Sequence, residues 1–357
     1  MKTGTIRAKT EDFFVDEVVP ERVAQEGEHL HIRIEKRDLS TEAAVRMMAK
    51  DFGVSPKSIG RCGRKDVRSV ARQWLSFTGV KEEQVDALDI PGIHVLEHVR
   101  LPRKLRMGRF LGNRFRIRVR DLSGDDISRA QHALGLVERR GLPNAYGEQR
   151  LGENRINARI GRLLIQGDIG EALALHVESN SGRDAERMRR HLAEDRFEDA
   201  LRVLGRRRAG FLVSAWQAEV FNRVLALRSD TVDQALEGDV LHQHSSGRTL
   251  VMEDQAAAAQ GVADLEYSAT GPLPGPSMRE VTGAALEIEG PVLAEEACAD
   301  SERRRWFGCT GARRSLRVPV TEAEMTRGLD DLGSYLEVSF RLPPGAFATT
   351  LLDVILR

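Results

Sequence analysis

Gly112-Asn113-Arg114-Phe115-Arg116-Ile117-Arg118-Val119-Arg120 alternates without a break. Phe115, Ile117 and Val119 fall on one side and Arg114, Arg116, Arg118 and Arg120 on the other, the period of two that a half-buried strand requires. The stretch predicts a sheet with one apolar face and one basic face. It also ends a longer basic run, because residues 100–120 hold nine Lys/Arg and no Asp or Glu. Residues 286–300 show the reverse, five acids and no base. The chain has 54 basic and 54 acidic residues, so recognition of a polyanion has to come from such local clusters. A solvated charged surface is the competing reading of each cluster.

Working outward, residues 13–19 read as a short strand, and residues 29–36 alternate with Leu30, Ile32 and Ile34 inward. Residues 41–52 read as a helix capped by Ser40 or Thr41, with Ala44, Val45, Met48, Ala49 and Phe52 at helical spacing. From about Gly141 the texture turns helical, over residues 157–165, 183–195 and 214–228. Beyond Val240 come short segments broken by Gly and Pro, including Gly271-Pro272-Leu273-Pro274-Gly275-Pro276. Strand pattern returns at residues 335–342, and after Pro343-Pro344-Gly345 residues 348–356 suit a closing helix. The layout points to an α+β fold. Residues 1–140 and 318–357 form one domain around a mixed, largely antiparallel sheet, and residues 141–317 are inserted into it.

At 357 residues, 41% hydrophobic and 30% charged, the chain reads as a soluble globular protein of two domains. Cys62, Cys298 and Cys309 are odd in number and lack zinc-ligand spacing, so a disulfide framework is not expected and a reducing cytosol is. The N-terminus has no signal-like apolar stretch, and no run approaches the ~18 apolar residues of a membrane span. The expectation is a cytoplasmic protein with no membrane partner.

One segment carries chemistry. In Cys62-Gly63-Arg64-Lys65-Asp66, followed by Gln73-Trp74, a single acid sits behind two cations on a Gly-initiated turn. Such an arrangement holds a carboxylate ionised and aims it, as a nucleophilic aspartate needs. Alone, the segment reads more readily as a solvated surface turn, and it gains weight only from company elsewhere in the chain. A rival motif, His94-Val95-Leu96-Glu97-His98, matches an inverted zinc-peptidase signature. Its β-branched period-two neighbours make it a strand, which spreads the histidines over roughly 13 Å, too far for one zinc. His29, His31, His242 and His244 are expected on solvent faces, and no metal site is expected.

Asp66 has company. The chain also contains Glu11-Asp12-Phe13-Phe14-Val15-Asp16-Glu17, Gly27-Glu28-His29-Leu30, Lys104-Leu105-Arg106-Met107-Gly108, Gly112-Asn113-Arg114-Phe115, and Pro143-Asn144-Ala145-Tyr146-Gly147-Glu148-Gln149-Arg150-Leu151-Gly152. Later come Ser214-Ala215-Trp216-Gln217, Phe221-Asn222, Gly238-Asp239-Val240 and Leu342-Pro343-Pro344-Gly345-Ala346-Phe347-Ala348-Thr349. In this order and spacing, from Arg7 to Leu352, the chain resembles the tRNA pseudouridine synthase D (TruD) family. The resemblance implies a pseudouridine synthase fold interrupted by a family-specific α/β insertion. It also implies isomerisation of uridine 13 of tRNA without a cofactor.

Carried over residue by residue, the resemblance implies Asp66 as the catalytic aspartate and Asn113, Phe115, Phe13 and Arg7 as substrate-binding residues, with Lys65 beside them. Three departures stand out. Ala71 replaces a usual Thr and removes a hydroxyl from the Asp66 loop, Ala145 departs from the common Asn-Tyr-Phe-Gly, and Arg7 stands where Lys is familiar.

Uridine isomerisation breaks the C–N glycosidic bond, rotates the uracil and joins C5 to C1′. A carboxylate can act as nucleophile or as the base of a glycal route. Lys65, Arg64 or Arg7 is expected to hold Asp66 ionised. A target base inside folded RNA must be extruded, and Phe115 is the candidate ring to stack on it, against core packing as the reading from alternation alone. Arg103, Lys104, Arg106, Arg114 and Arg116 are the expected RNA-backbone contacts in a basic cleft, with Arg206-Arg207-Arg208 and Arg303-Arg304-Arg305 as weaker candidates. The resemblance implies tRNA as the partner, and the protein is expected to be a monomer. A non-catalytic RNA-binding protein using the same basic residues is the alternative reading, and it leaves Asp66 among phosphate contacts without a purpose.

Overall fold

The alternation around Phe115 is realised in a nine-stranded mixed sheet. Its main path runs Thr321–Asp330, Gly333–Leu342, Gly112–Arg120, Phe13–Val18, Val70–Thr78, His29–Arg37, Ile93–Leu101, with Thr5–Ile6 and Gly60–Arg61 paired at its side. Phe13–Val18 and Val70–Thr78 are its one parallel pair, so the sheet is largely antiparallel. The computed structural model describes residues 4–296 and 307–357. Contacts divide the chain into two compact units, residues 1–139 with 319–357, and residues 140–318. Cys298 and Arg303-Arg304-Arg305-Trp306 lie outside the described residues.

Register fixes which side chains share a face of the first unit's sheet. Phe115 lies opposite Phe340 and Val15, Val15 opposite Ala71, and Ala71 opposite Lys36. Phe115, Ile117, Phe13, Val15, Leu30, Ile32 and Ile34 are all buried on that face. The helix Thr41–Asp51 packs Ala44, Val45, Met48 and Ala49 against it. Ser40, not Thr41, caps this helix, its Oγ accepting from Ala43 N at 3.0 Å, a bond worth about 1 kcal/mol. Thr41 is thereby left for another task. On the opposite face Arg114 pairs with Glu322 and Arg118 with Glu337 and Asp330. Arg120 departs from the expected basic face: it is buried at 4% exposure between Asp12 and Asp330.

The second unit joins five helices, Ile156–Gln166, Ile169–Glu178, Arg183–Ala193, Phe197–Leu204 and Arg206–Leu227, around one apolar cluster. Gly161 permits the close approach of two of them, since a Cβ there would stand 2.0 Å from Leu212 O. The last helix begins eight residues before the expected Ser214, burying Ala209, Leu212 and Val213 in the added turns. A four-stranded sheet contains Tyr267–Leu273, which runs through Gly271 and Pro272, where the Gly and Pro pattern had suggested a break. Pro272 is tolerated because that part of the strand pairs only with Ala312–Ser315, leaving its other edge without a ladder. No helix among the described residues is long and apolar enough to cross a membrane.

Candidate active site

Asp66 lies in the loop between Gly60–Arg61 and Val70–Thr78, and its backbone is tied down on three sides. Lys36 Nζ donates to the Asp66 carbonyl at 2.8 Å and Ser69 Oγ donates to the same oxygen at 2.9 Å. One residue earlier, Lys65 N donates to Thr41 Oγ1 at 2.9 Å, while the Thr41 hydroxyl donates to Gln73 Oε1. Thr41 and Ser69 therefore supply the hydroxyl support that Ala71 cannot. Together these bonds tie the Asp66 loop to Lys36, which stands on the sheet face of Ile34 and Ala71.

Among the described residues the carboxylate is held at one oxygen. Arg7 Nη2 donates to Asp66 Oδ2 at 2.5 Å, and the guanidinium lies 4.1 Å from the Phe13 ring centroid. Among the described residues Oδ1 has no partner, and the side chain is 42% exposed. Arg7 takes φ +61°, a backbone region L residues enter sparingly.

Of the three cations expected at Asp66, only Arg7 reaches its carboxylate. Arg64 pairs with Glu42 at 2.8 Å. Lys65 turns inward, donating to Glu17 Oε1 at 3.0 Å and Asn113 Oδ1 at 2.6 Å, with Nζ 5.1 Å from the Phe110 ring centroid. Glu17 is completed by Trp74 N at 3.1 Å. Asn113 is thus fixed by Lys65. Phe115 is 7% exposed, stacked on Phe340 (5.2 Å, 25°) and edge-on to Phe13 (6.2 Å, 77°), as the core-packing reading requires.

The expected backbone contacts separate into two groups. Arg114 and Arg116 lie on the face away from Asp66, each within reach of an acid, Glu322 at 2.7 Å and Glu337 at 3.9 Å. Arg103, Lys104 and Arg106 have no ion pair among the described residues and line an open groove of about 910 Å³ with Arg22, His31 and Arg109. Glu21 is the groove's one acid. The groove adjoins the Asp66 loop, since Gly108 N donates to Cys62 O at 2.8 Å. Arg206-Arg207-Arg208 opens the helix Arg206–Leu227, a helix-end position.

Histidines and cysteines take structural places. His94 and His98 lie on the strand Ile93–Leu101, not on a helix. His31 is not on a solvent face. It is 2% exposed, with Arg22 donating to Nδ1 at 2.7 Å and Nε2–H donating to Arg103 O at 2.8 Å. Burial, reinforced by the Arg22 charge, pushes His31 down to about 4. His242 and His244 are half-buried, and His244 is hydrogen-bonded to Ser268. Burial pushes the Cys62 thiol up to about 11, which leaves it protonated and no nucleophile.

Lys36, Glu17, Thr41 and Ser69 escape a motif-based reading. For Lys36 and Glu17 a signal was present, because both occupy inward positions in the alternations Leu30-Ile32-Ile34 and Phe13-Val15. A charge at an inward position demands a buried partner.

Comparison with known proteins follows this geometry. The family model for tRNA pseudouridine synthase D (TruD) matches residues 2–196 and 179–355. A tRNA pseudouridine synthase D of Geobacter metallireducens is 34% identical over 99% of this chain and 95% of its own length. One from an Anaeromyxobacter species is 37% identical over 99% of this chain and 93% of its own. A Methanosarcina mazei crystal structure assigned to tRNA pseudouridine synthase D matches with a TM-score of 0.76 at 23% identity, covering 99% of this chain and 93% of that one, a likeness of fold.

Proposed function

This chain belongs to the tRNA pseudouridine synthase D family, and from that footing we propose that it isomerises uridine to pseudouridine in tRNA, with Asp66 as the acting carboxylate. The observation that carries the reading is the asymmetry of that carboxylate: Oδ2 is held by Arg7, while Oδ1 has no partner among the described residues. The C1′–N1 bond of the uridine breaks, the uracil turns, and C5 bonds to C1′. C5 loses a proton and N1 gains one, so the reaction balances without a co-reactant. The open oxygen either adds to C1′ or takes the C2′ proton, and either step begins from a carboxylate aimed by its backbone and backed by a guanidinium.

Phe13, Phe115 and Asn113 form the wall proposed to receive the flipped base, with Lys65 fixing Asn113 from behind. Arg103, Lys104 and Arg106, without an ion pair among the described residues, suit the RNA backbone better than Arg114 and Arg116, which have acids within reach. Position 13 of tRNA is the proposed target and the cytoplasm the proposed compartment. Asp66→Asn is nearly isosteric, so it should abolish pseudouridine formation in tRNA while the variant folds and binds. Turnover within tenfold of wild type would show that another residue carries the chemistry. Mapping pseudouridine in cellular tRNA with and without the protein tests the position and separates an enzyme from an RNA binder.

A further inference from the structure

Lys36 is a large cation of the first unit whose burial and partners stability does not explain. Its side chain is fully buried, on the sheet face shared with Ile34 and Ala71. Nζ donates to two backbone carbonyls, those of Leu39 and Asp66, and forms no ion pair among the described residues. A buried ammonium satisfied only by carbonyls is costly, and an apolar side chain of similar length would fill the space more cheaply. What the ammonium does achieve is specific. Together with Ser69 Oγ it fixes the carbonyl of the residue whose carboxylate faces the substrate. It also sets a positive charge at the Asp66 backbone, while Arg7 meets the carboxylate.

We propose that Lys36 is a positioning residue for the reaction, its buried ammonium clamping the Asp66 backbone so that the open carboxylate oxygen keeps its aim. The inference rests on Asp66 being the acting carboxylate. The charged groups that act on Lys36 are Asp66 and Lys65 from the loop, Glu42 from the helix Thr41–Asp51, and Asp38 from the turn before it. Burial lowers Lys36 to about 8, opposed first by the Asp66 carboxylate. Deprotonation leaves an uncharged amine, whose bonds to the carbonyls lose their charge assistance.

Stability and rate should then respond oppositely to pH. A lysine whose folded pKa is depressed carries its burial penalty below pH 8 and sheds it as pH rises, so its own effect on stability is favourable in the alkaline direction. Positioning predicts that the rate falls over the same range. A merely structural lysine would not separate the two.

The experiment measures single-turnover pseudouridine formation with enzyme in excess over tRNA, tRNA affinity and melting temperature for wild type, Lys36→Met and Asp66→Asn. Lys36→Met should lose about ten- to a hundredfold in rate, as a small misplacement of a catalytic group does, with Kd held within about threefold and no loss of melting temperature. A rate within about threefold of wild type overturns the proposal. Should Lys36→Met fail to fold, the wild-type rate profile decides. A roughly tenfold fall between pH 7 and pH 9 at unchanged affinity supports the clamp, and a flat profile refutes it. An active Asp66→Asn would instead remove the reading of Asp66 itself.

Discussion

Lys65→Met should be among the most destabilising single changes in the first unit, and Glu17→Gln should partly repair it. The Lys65 and Glu17 side chains are 4% and 1% exposed, so neither finds water if its partner is removed. Lys65→Met leaves the Glu17 carboxylate buried, with the Trp74 N–H as its one donor among the described residues. Breaking a buried pair from one side costs about 3–5 kcal/mol. Glu17→Gln keeps one acceptor, which Trp74 N or Lys65 Nζ can use but not both, because these bond different oxygens of Glu17. It leaves the Lys65 ammonium with Asn113 as its remaining partner among the described residues, and so also costs about 3–5 kcal/mol. In the double variant no buried charge remains unpaired. It should be more stable than Lys65→Met by at least about 1 kcal/mol, with a coupling near the upper end of the ~0.5–3 kcal/mol seen for contacting residues. Urea unfolding followed by circular dichroism and by tryptophan fluorescence, to which Trp74 contributes from beside the pair, measures all three variants. Additivity of the single changes within about 0.5 kcal/mol would refute the buried pair. Lys65 would then be free to serve Asp66, and the assignment of that role to Arg7 alone would fail.

Phe115→Leu removes the stack on Phe340 and the edge contact with Phe13, so stability should fall by about 1–2 kcal/mol. If Phe115 also meets the flipped base, the single-turnover rate of the folded fraction should drop roughly tenfold or more, since base stacking is worth about 1–3 kcal/mol, and an unchanged rate refutes that contact. His31, lowered to about 4, is neutral when folded and protonates near 6.5 when unfolded, so its contribution is complete above pH 6.5 and is lost as pH falls towards 4. Wild type should lose about 2 kcal/mol more than His31→Gln between pH 7 and pH 5, and parallel pH profiles in urea unfolding would refute this. Replacing Arg103, Lys104 and Arg106 with Gln should reduce the slope of log K against log salt for tRNA by about 2–3. The same change at Arg114 and Arg116 should alter it by less, because Glu322 and Glu337 lie 2.7 Å and 3.9 Å from them, and the reverse ranking would relocate the RNA.

The strands with clean alternation were legible because each buries one face, and Phe115, Ile117, Val119, Leu30, Ile32 and Ile34 point inward as their parity requires. What escaped reading depends on residues far apart in the chain. Nothing near Arg114 reveals that Glu322, 208 residues later, neutralises it, so a basic stripe read as available charge is partly spent on ion pairs. The choice between Ser40 and Thr41 as cap was undecidable locally, because Thr41 is claimed by Lys65 N across the fold. Arg206–Leu227 was read as starting late because its first residues are three arginines, with no apolar period to announce them. At the site, Asp66 was legible from its neighbours in the chain. Which cation serves it was not, since Lys65 adjoins it in sequence and turns away, while Arg7 reaches it from 59 residues upstream.

The central strand also sets a clock on synthesis. Arg118 bonds Glu337 on the neighbouring strand, and 219 residues separate them. At ~5–20 residues per second, a ribosome needs roughly ten to forty seconds to make that intervening chain. Throughout that interval Gly112–Arg120 has an unpaired edge, Phe115 lacks the ring of Phe340, and Arg120 lacks Asp330. The residues of the second unit emerge complete in the meantime and can fold first. A nascent chain stalled before residue 333 therefore carries Asp66 and Arg7 without the strand that finishes the wall beside them. It offers chaperones an apolar sheet edge instead of an enzyme.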